Sequence, residues 1–185
     1  MSQKIENLWK IYQTVNEWIR FSDTKAGLIL ATDGVLISVI FSGLKDRLFL
    51  INKNRLLSAL IILGIISIVL SIYYSVLSLF PNLSPNHFTQ KKLINREESK
   101  SGYLIFFGDI VEGFSNFKAY KEAVDRKFQH DETIVLQLSR QIFVNSKIAD
   151  KKFKRVKNSL LYLVVSLVVS AITIPIILTM NLLTM

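Results

Sequence analysis

Three apolar runs of membrane length stand out along the chain, Ala26 to Leu44, Leu56 to Phe80 and Ser159 to Met180. About 20 apolar residues cross the roughly 30 Å hydrocarbon core of a bilayer, so each run is long enough to span it. The second and third carry no charge, and the first carries only Asp33. Ahead of the first run, Ile5, Leu8, Tyr12, Val15 and Ile19 step by 3, 4, 3 and 4, which predicts an amphipathic helix over residues 1–25. Two surroundings suit that helix. It packs on a polar domain, which Glu6 and Glu17 favour, or it lies in the membrane interface with Trp9 and Trp18.

Residues 81–158, between the second and third runs, are polar. "PNLSPNHFTQKKLINREESKSG" has no sustained period and reads as a loop or a short helix. In "GYLIFFGDIVEGF" the apolar stretch is too short, and too broken by Gly108, for periodicity to choose strand or helix. "NFKAYKEAVDRKFQ" reads as helix, with Phe117, Tyr120, Val124 and Phe128 at near-helical spacing, and Asp131 is the expected N-cap of the next helix. There, Ile134, Leu138, Ile142, Ala149, Phe153, Val156 and Leu160 hold one face, with no Gly or Pro before Pro175. Some 45 residues at about 1.5 Å each predict a rod of roughly 65–70 Å entering the third span. The expected class is an all-α membrane protein. A hairpin of spans 26–44 and 56–80 and a third span, 159–180, frame a small, mainly helical domain over 81–158.

A mean hydropathy of +0.36 with 50% hydrophobic residues agrees with a membrane protein. The first 25 residues carry four basic and three acidic side chains and no apolar core, which argues against a cleaved signal peptide. The chain has no cysteine, so disulfides and thiolate chemistry are excluded. Residues 81–158 hold 15 of the 23 basic residues, six of them in "KIADKKFKRVK" just before the third span. Basic residues stay on the cytoplasmic side, which predicts a cytoplasmic N-terminus and polar domain. The short loop "KDRLFLINKNR", with Lys45, Arg47, Lys53 and Arg55, runs against that rule and would face outward.

Three stretches together, "WIRFSDTKAGLILATDGVLIS", "YLIFFGDI" and "LSRQIFVNSKIADKKFKRVKNSLLYL", resemble the Pycsar transmembrane effector family from about Trp18 to Val169. The resemblance implies a bacterial inner-membrane protein of anti-phage defence acting beside a pyrimidine cyclase. It further implies a response to cyclic UMP or cyclic CMP that impairs membrane integrity and stops the infected cell. The chain shows nothing like a β-barrel cyclic-nucleotide-binding domain, so a nucleotide site would have to be built from the helical segment. Phosphate calls for cations and a base for flat apolar surface. Lys25 and Arg140 are candidates for the first, with Arg126 and Lys147 near them, and Phe106 and Phe107 for the second. Asp109 and Gln141 suit a ribose or pyrimidine edge. Most aromatic residues of 103–128 also suit a small core.

Within the spans, Asp23, Ala26, Leu30, Asp33 and Ile37 share a stripe, beside a second one of Gly27, Ala31, Gly34, Ser38 and Ser42. The second span repeats small residues at Gly64, Ser67, Ser71, Ser75 and Ser78, and the third at Ser159, Ser166, Ser170 and Thr173. Such faces let helices approach closely, or line water in an oligomer. A mid-membrane carboxylate costs about 2.5 to 3.5 kcal/mol on insertion scales. With no basic residue in any span, Asp33 is expected to be protonated, bonded to a Ser or Thr of a neighbouring helix, or facing water. Pro175 frees the carbonyl of Ala171 and is a candidate hinge. Asp23, Asp33, Gly34, Ser38 and Pro175 are thus the candidates for gating or helix packing.

Catalysis has no visible apparatus. Asp23 and Asp33 lie on one helix about 15 Å apart, and phosphate-loop, HExxH and GxSxG patterns are absent. No metal or cofactor is expected, and nucleic acid is disfavoured because the basic residues crowd the membrane. The alternative to a nucleotide-triggered effector is a scaffold or channel subunit gated by a protein partner. A homo-oligomer is expected in either case.

Overall fold

The computed structural model describes residues 3–44, 54–80, 104–105 and 107–182. The Pro- and Asn-rich connector, most of the short basic loop and Phe106 lie outside the described residues. Every regular element described is a helix: α1 Gln3–Leu44, α2 Arg55–Leu79, α3 Phe107–Gly113, α4 Phe117–Lys127 and α5 Asp131–Leu182. The short apolar run is therefore helical, as α3. Helix α1 passes Lys25 without a break, so the amphipathic stretch and the first span are parts of one helix.

Local chemistry sets the ends. The Asn54 side chain accepts from the backbone N–H groups of Leu56 and Leu57 and starts α2, which stops at Phe80 in extended conformation before Pro81. Asn116 caps α4 by accepting from Ala119 N at 2.9 Å, and Arg126 and Lys127 complement its negative end. Asp131 lies inside the first turn of α5, with Glu132, instead of capping it. Both carboxylates still meet the positive end of the helix.

The chain gathers into two compact units, Met1–Ile19 with Pro81–Ala149, and Arg20–Phe80 with Asp150–Met185. In the first, the polar unit, Ile5 and Val15 are buried, and Leu8, Tyr12 and Ile19 are half-buried. The 3–4 rhythm of the N-terminal stretch thus packs within this unit, with Trp9 and Trp18 exposed. Leu104, Ala123, Leu138 and Ala149 are also buried in the unit. Phe117 departs from the expected core and is 76% exposed at the first turn of α4.

The second unit, the bundle, inverts the usual order of polarity. Gly64, Ser67, Ser71, Ser75 and Ser78 of α2 and Ser159, Ser166, Ser170 and Thr173 of α5 are buried. Leu28, Val35, Phe41, Ile62, Val69 and Val168 are exposed. In water this would be unstable. In hydrocarbon it is the favoured order, because lipid solvates apolar side chains while small and hydroxyl faces let helices meet. Among the described residues three helices, α1, α2 and α5, are long and apolar enough to cross a membrane. Leu160, expected on the buried face of α5, is 50% exposed, while Ser159 is fully buried. The rule that apolar residues turn inward ends where the surrounding solvent becomes lipid.

Buried positions in the bundle step by threes and fours: Ser22, Ala26, Ile29, Asp33 on α1 and Gly64, Ile68, Ser71, Ser75, Ser78 on α2. The same rhythm runs through Lys152, Val156, Ser159, Leu163 and Ser166 on α5, as in left-handed helix packing. At Gly64 an added Cβ would lie 3.3 Å from Cγ1 of Val169, so α2 and α5 meet closely there. A Cβ at Gly34 would meet nothing within 4 Å. We expect Gly64→Leu to destabilise the bundle by about 1–3 kcal/mol through overpacking, and Gly34→Ala to stay within about 0.5 kcal/mol. Thermal midpoints in detergent compare the two, and equal losses would refute the close approach at Gly64.

Candidate functional site

The polar groups buried in the bundle form a ladder across its three helices. Lys152 and Ser159 are seven residues apart on α5 and therefore share its inward face. Lys152, only 8% exposed, pairs with half-exposed Asp23 of α1. Ser78 of α2 donates to the backbone carbonyl of Lys152 at 3.5 Å. Nη1 of Arg155 donates to the carbonyl of Leu77 at 2.6 Å, placing a cation on the negative end of α2.

Further along, Oγ of Ser75 and Oγ of Ser159 lie 2.6 Å apart, and Ser159 donates to the carbonyl of Ser71 at 2.8 Å. Ser71 in turn donates to Oδ2 of Asp33 at 2.7 Å. Asp33 is fully buried, and its Oδ1 has no hydrogen-bond partner among the described residues. The carboxyl group is therefore held by one hydroxyl of a neighbouring helix. Linked bonds of this kind polarise one another in a low-dielectric interior, and a rung left without its partner is costly. Beyond Asp33 the hydroxyl bonds of α5 turn local: Ser166 donates to Leu163 O and Thr173 to Val169 O, both on their own helix.

The other candidates of the bundle sit apart from the ladder. Gly34 and Ser38 lie on an exposed face of α1, where the Ser38 hydroxyl returns to the carbonyl of Gly34 at 3.0 Å. Pro175 is inside α5 and exposed. Lys25 is exposed, with Nζ 4.4 Å from the centroid of the Phe21 ring.

Arg140 and Gln141 belong to the polar unit. Gln141 is buried and Nε2 donates to Oδ1 of Asn145 at 3.3 Å, while Nδ2 of Asn145 donates to Oδ1 of Asn16 at 2.7 Å. One turn earlier, Oε1 of Gln137 accepts from the backbone N–H of Leu104 at 3.0 Å, and the Tyr120 hydroxyl donates to the Leu104 carbonyl at 3.2 Å. Arg140 is half-buried, and desolvation lowers the pKa of its guanidinium from the ordinary value. Phe107 and Asp109 are in α3, but their side chains are outside what is described. The structure thus sets Arg140 and Gln141 beside a column of buried amides in one unit, and Lys25 in the other.

Sequence reasoning missed Lys152 and Arg155, which read there as members of a basic cluster that sets topology. It also missed Gln137 and Asn145. The signal was spacing: Gln137, Gln141 and Asn145 recur every four residues, and Lys152, Ser159, Ser166 and Thr173 every seven.

Comparison with known proteins agrees with this picture. A family model described as a Pycsar effector protein domain matches residues 7–179. A Pycsar effector protein of Propioniciclava tarda is 24% identical over 162 residues, which is 84% of this chain and 71% of that protein. No solved structure matches.

Proposed function

The chain belongs to the Pycsar effector family, and on that premise we propose that it is the membrane effector of a Pycsar anti-phage defence system. A cyclic pyrimidine nucleotide, cyclic UMP or cyclic CMP, made by a partner pyrimidine cyclase, binds the polar unit. The bundle then rearranges within a homo-oligomer, the bacterial inner membrane loses integrity, and the infected cell stops growing before phage is released. The N-terminus and polar unit face the cytoplasm, where the nucleotide is made.

The observation that carries this reading is the ladder from Lys152 to Asp33 inside a bundle whose outer surface is apolar. An inert anchor needs no carboxylate within a span, where it is costly, and no buried ion pair at the spans' edge. A switch does need them. Buried polar groups satisfied by one another hold a resting state, and the same groups, once parted, favour water in the membrane. Arg140 and Gln141 are candidate nucleotide contacts, with Phe106, Phe107 and Asp109 from the neighbouring stretch of sequence and Lys25 at the start of the first span. Helices α1 and α5 contribute to both units and so give a change in one a route to the other.

The test is titration of the purified full chain in proteoliposomes with cyclic UMP and cyclic CMP, reading thermal midpoint and release of an entrapped dye. One of the two is expected to stabilise the protein by about 2.7 kcal/mol at a hundredfold excess over its dissociation constant, and to start release over the same range. No response to either nucleotide would overturn the reading in favour of a channel or scaffold answering to a protein.

A further inference from the structure

Beyond Asp33, towards the Leu44 end of α1, the bundle encloses a cavity of about 310 Å³, a size that takes a small ligand or part of a larger one. Its wall is mainly aliphatic, with Val39 and Ile40 of α1, Ile61 of α2, and Val169, Ile174 and Ile177 of α5. Of its hydroxyls, Ser42 donates to Val39 O at 3.1 Å and Thr173 to Val169 O at 2.9 Å. The wall therefore offers hydrocarbon, with Ser170 the remaining polar side chain. The cavity is partly open, and the helices around it are the three able to cross a membrane.

The sequence that joins α1 to α2 carries the charge that runs against the positive-inside pattern. From Lys45 to Arg55 the sequence holds four cations against Asp46. Arg55 opens α2 on an exposed position, and the first turn has no acidic residue, so a cation sits at the positive end of the helix. Ile61 lies six residues on, about 9 Å along the axis. At 25 residues α2 exceeds the roughly 30 Å hydrocarbon thickness, which puts Arg55 at headgroup level and Ile61 among the acyl chains.

We infer that this end of the bundle is a binding site for an anionic phospholipid, with an acyl chain in the cavity and the phosphate near Arg55. The lining selects the chain, and the positive charge selects the headgroup. The site stands independently of the nucleotide response and holds whether or not the chain is triggered by one.

The test reconstitutes the full chain with phosphatidylglycerol or phosphatidylcholine carrying a photoactivatable group on the acyl chain, and maps adducts by mass spectrometry. Phosphatidylglycerol should label the peptides that hold Ile61 and Ile174 more strongly, and Arg55→Gln should reduce that excess about fivefold, the effect of one cation near a charged surface. Gly43→Leu, where an added Cβ meets nothing within 4 Å, should narrow the cavity and reduce this labelling. Peptides with outward residues such as Val35 should stay labelled and show that the bundle is folded. Equal labelling by both lipids, unchanged in Arg55→Gln, would overturn the headgroup selection. Unlabelled lining residues with crosslinks between protomers would overturn the lipid in favour of a second copy of the chain.

Discussion

Lys152→Glu is expected to cost the bundle about 3 kcal/mol, the low end for a broken buried ion pair because Asp23 keeps contact with solvent. The substitution sets a second carboxylate beside Asp23, at a position that is 8% exposed and within the span of contacts that fix α1, α2 and α5 together. Lys154→Glu is the control. Lys154 is two residues away and pairs with Asp150 at 2.7 Å, but both side chains are mostly exposed, so its loss should stay below about 1 kcal/mol. The double variant Asp23→Lys, Lys152→Glu should recover part of the loss by restoring opposite charges. Thermal unfolding in lipid nanodiscs reads all three. If Lys152→Glu and Lys154→Glu lose the same amount, the basic cluster acts as a topology signal alone and the buried pair has no special role.

The second large effect is on activation. In Asp33→Leu the bundle gives up its mid-membrane carboxyl group, worth about 2.5 to 3.5 kcal/mol on insertion scales, and loses the bond from Ser71, worth about 1 kcal/mol. The resting bundle gains about 2 kcal/mol. If activation hydrates Asp33, that gain is spent against opening, and triggered dye release should fall about 30-fold, since about 1.4 kcal/mol is tenfold. Asp33→Asn keeps an acceptor for Ser71 while removing the ionisable carboxyl group, and it separates the two contributions. Release at wild-type level in both variants would leave Asp33 as a packing residue with no part in opening.

The elements were legible in the chain because each rests on a local pattern. The 3–4 steps from Ile5 to Ile19 mark the face that α1 buries, and the uncharged runs mark the spans. What sequence left open depended on which solvent surrounds each turn. Leu160 and Ser159 are neighbours on α5, and a rule taken from soluble proteins assigns the wrong one to the interior. Once the third span is placed in lipid, the serines turn inward and the error disappears. The ladder was half visible: Asp33 stood out as a cost without a partner, but nothing local pointed to Ser71, which lies 38 residues away. Lys152 was hidden as one of six cations from Lys147 to Lys157, because charge alone does not tell a buried ammonium from a solvated one. The stripe of Gly34 and Ser38 read like the stripes of α2 and α5, yet both residues are exposed and a Cβ at Gly34 would meet nothing within 4 Å among the described residues.

The division into two units also decides what the protein's own chromophores can report. Both tryptophans, Trp9 and Trp18, fall in the polar unit, and both are exposed on α1. The bundle has no indole, but Tyr74 and Tyr162 stack within it with ring centroids 5.7 Å apart and planes 6° from parallel. Emission excited in the indole band therefore follows the polar unit, while the part of the near-ultraviolet tyrosine dichroism that Tyr162→Leu removes follows contact between α2 and α5. Two intrinsic signals thus read the two ends of the proposed switch separately, and the order in which they change after nucleotide is added gives the direction of the response without a label.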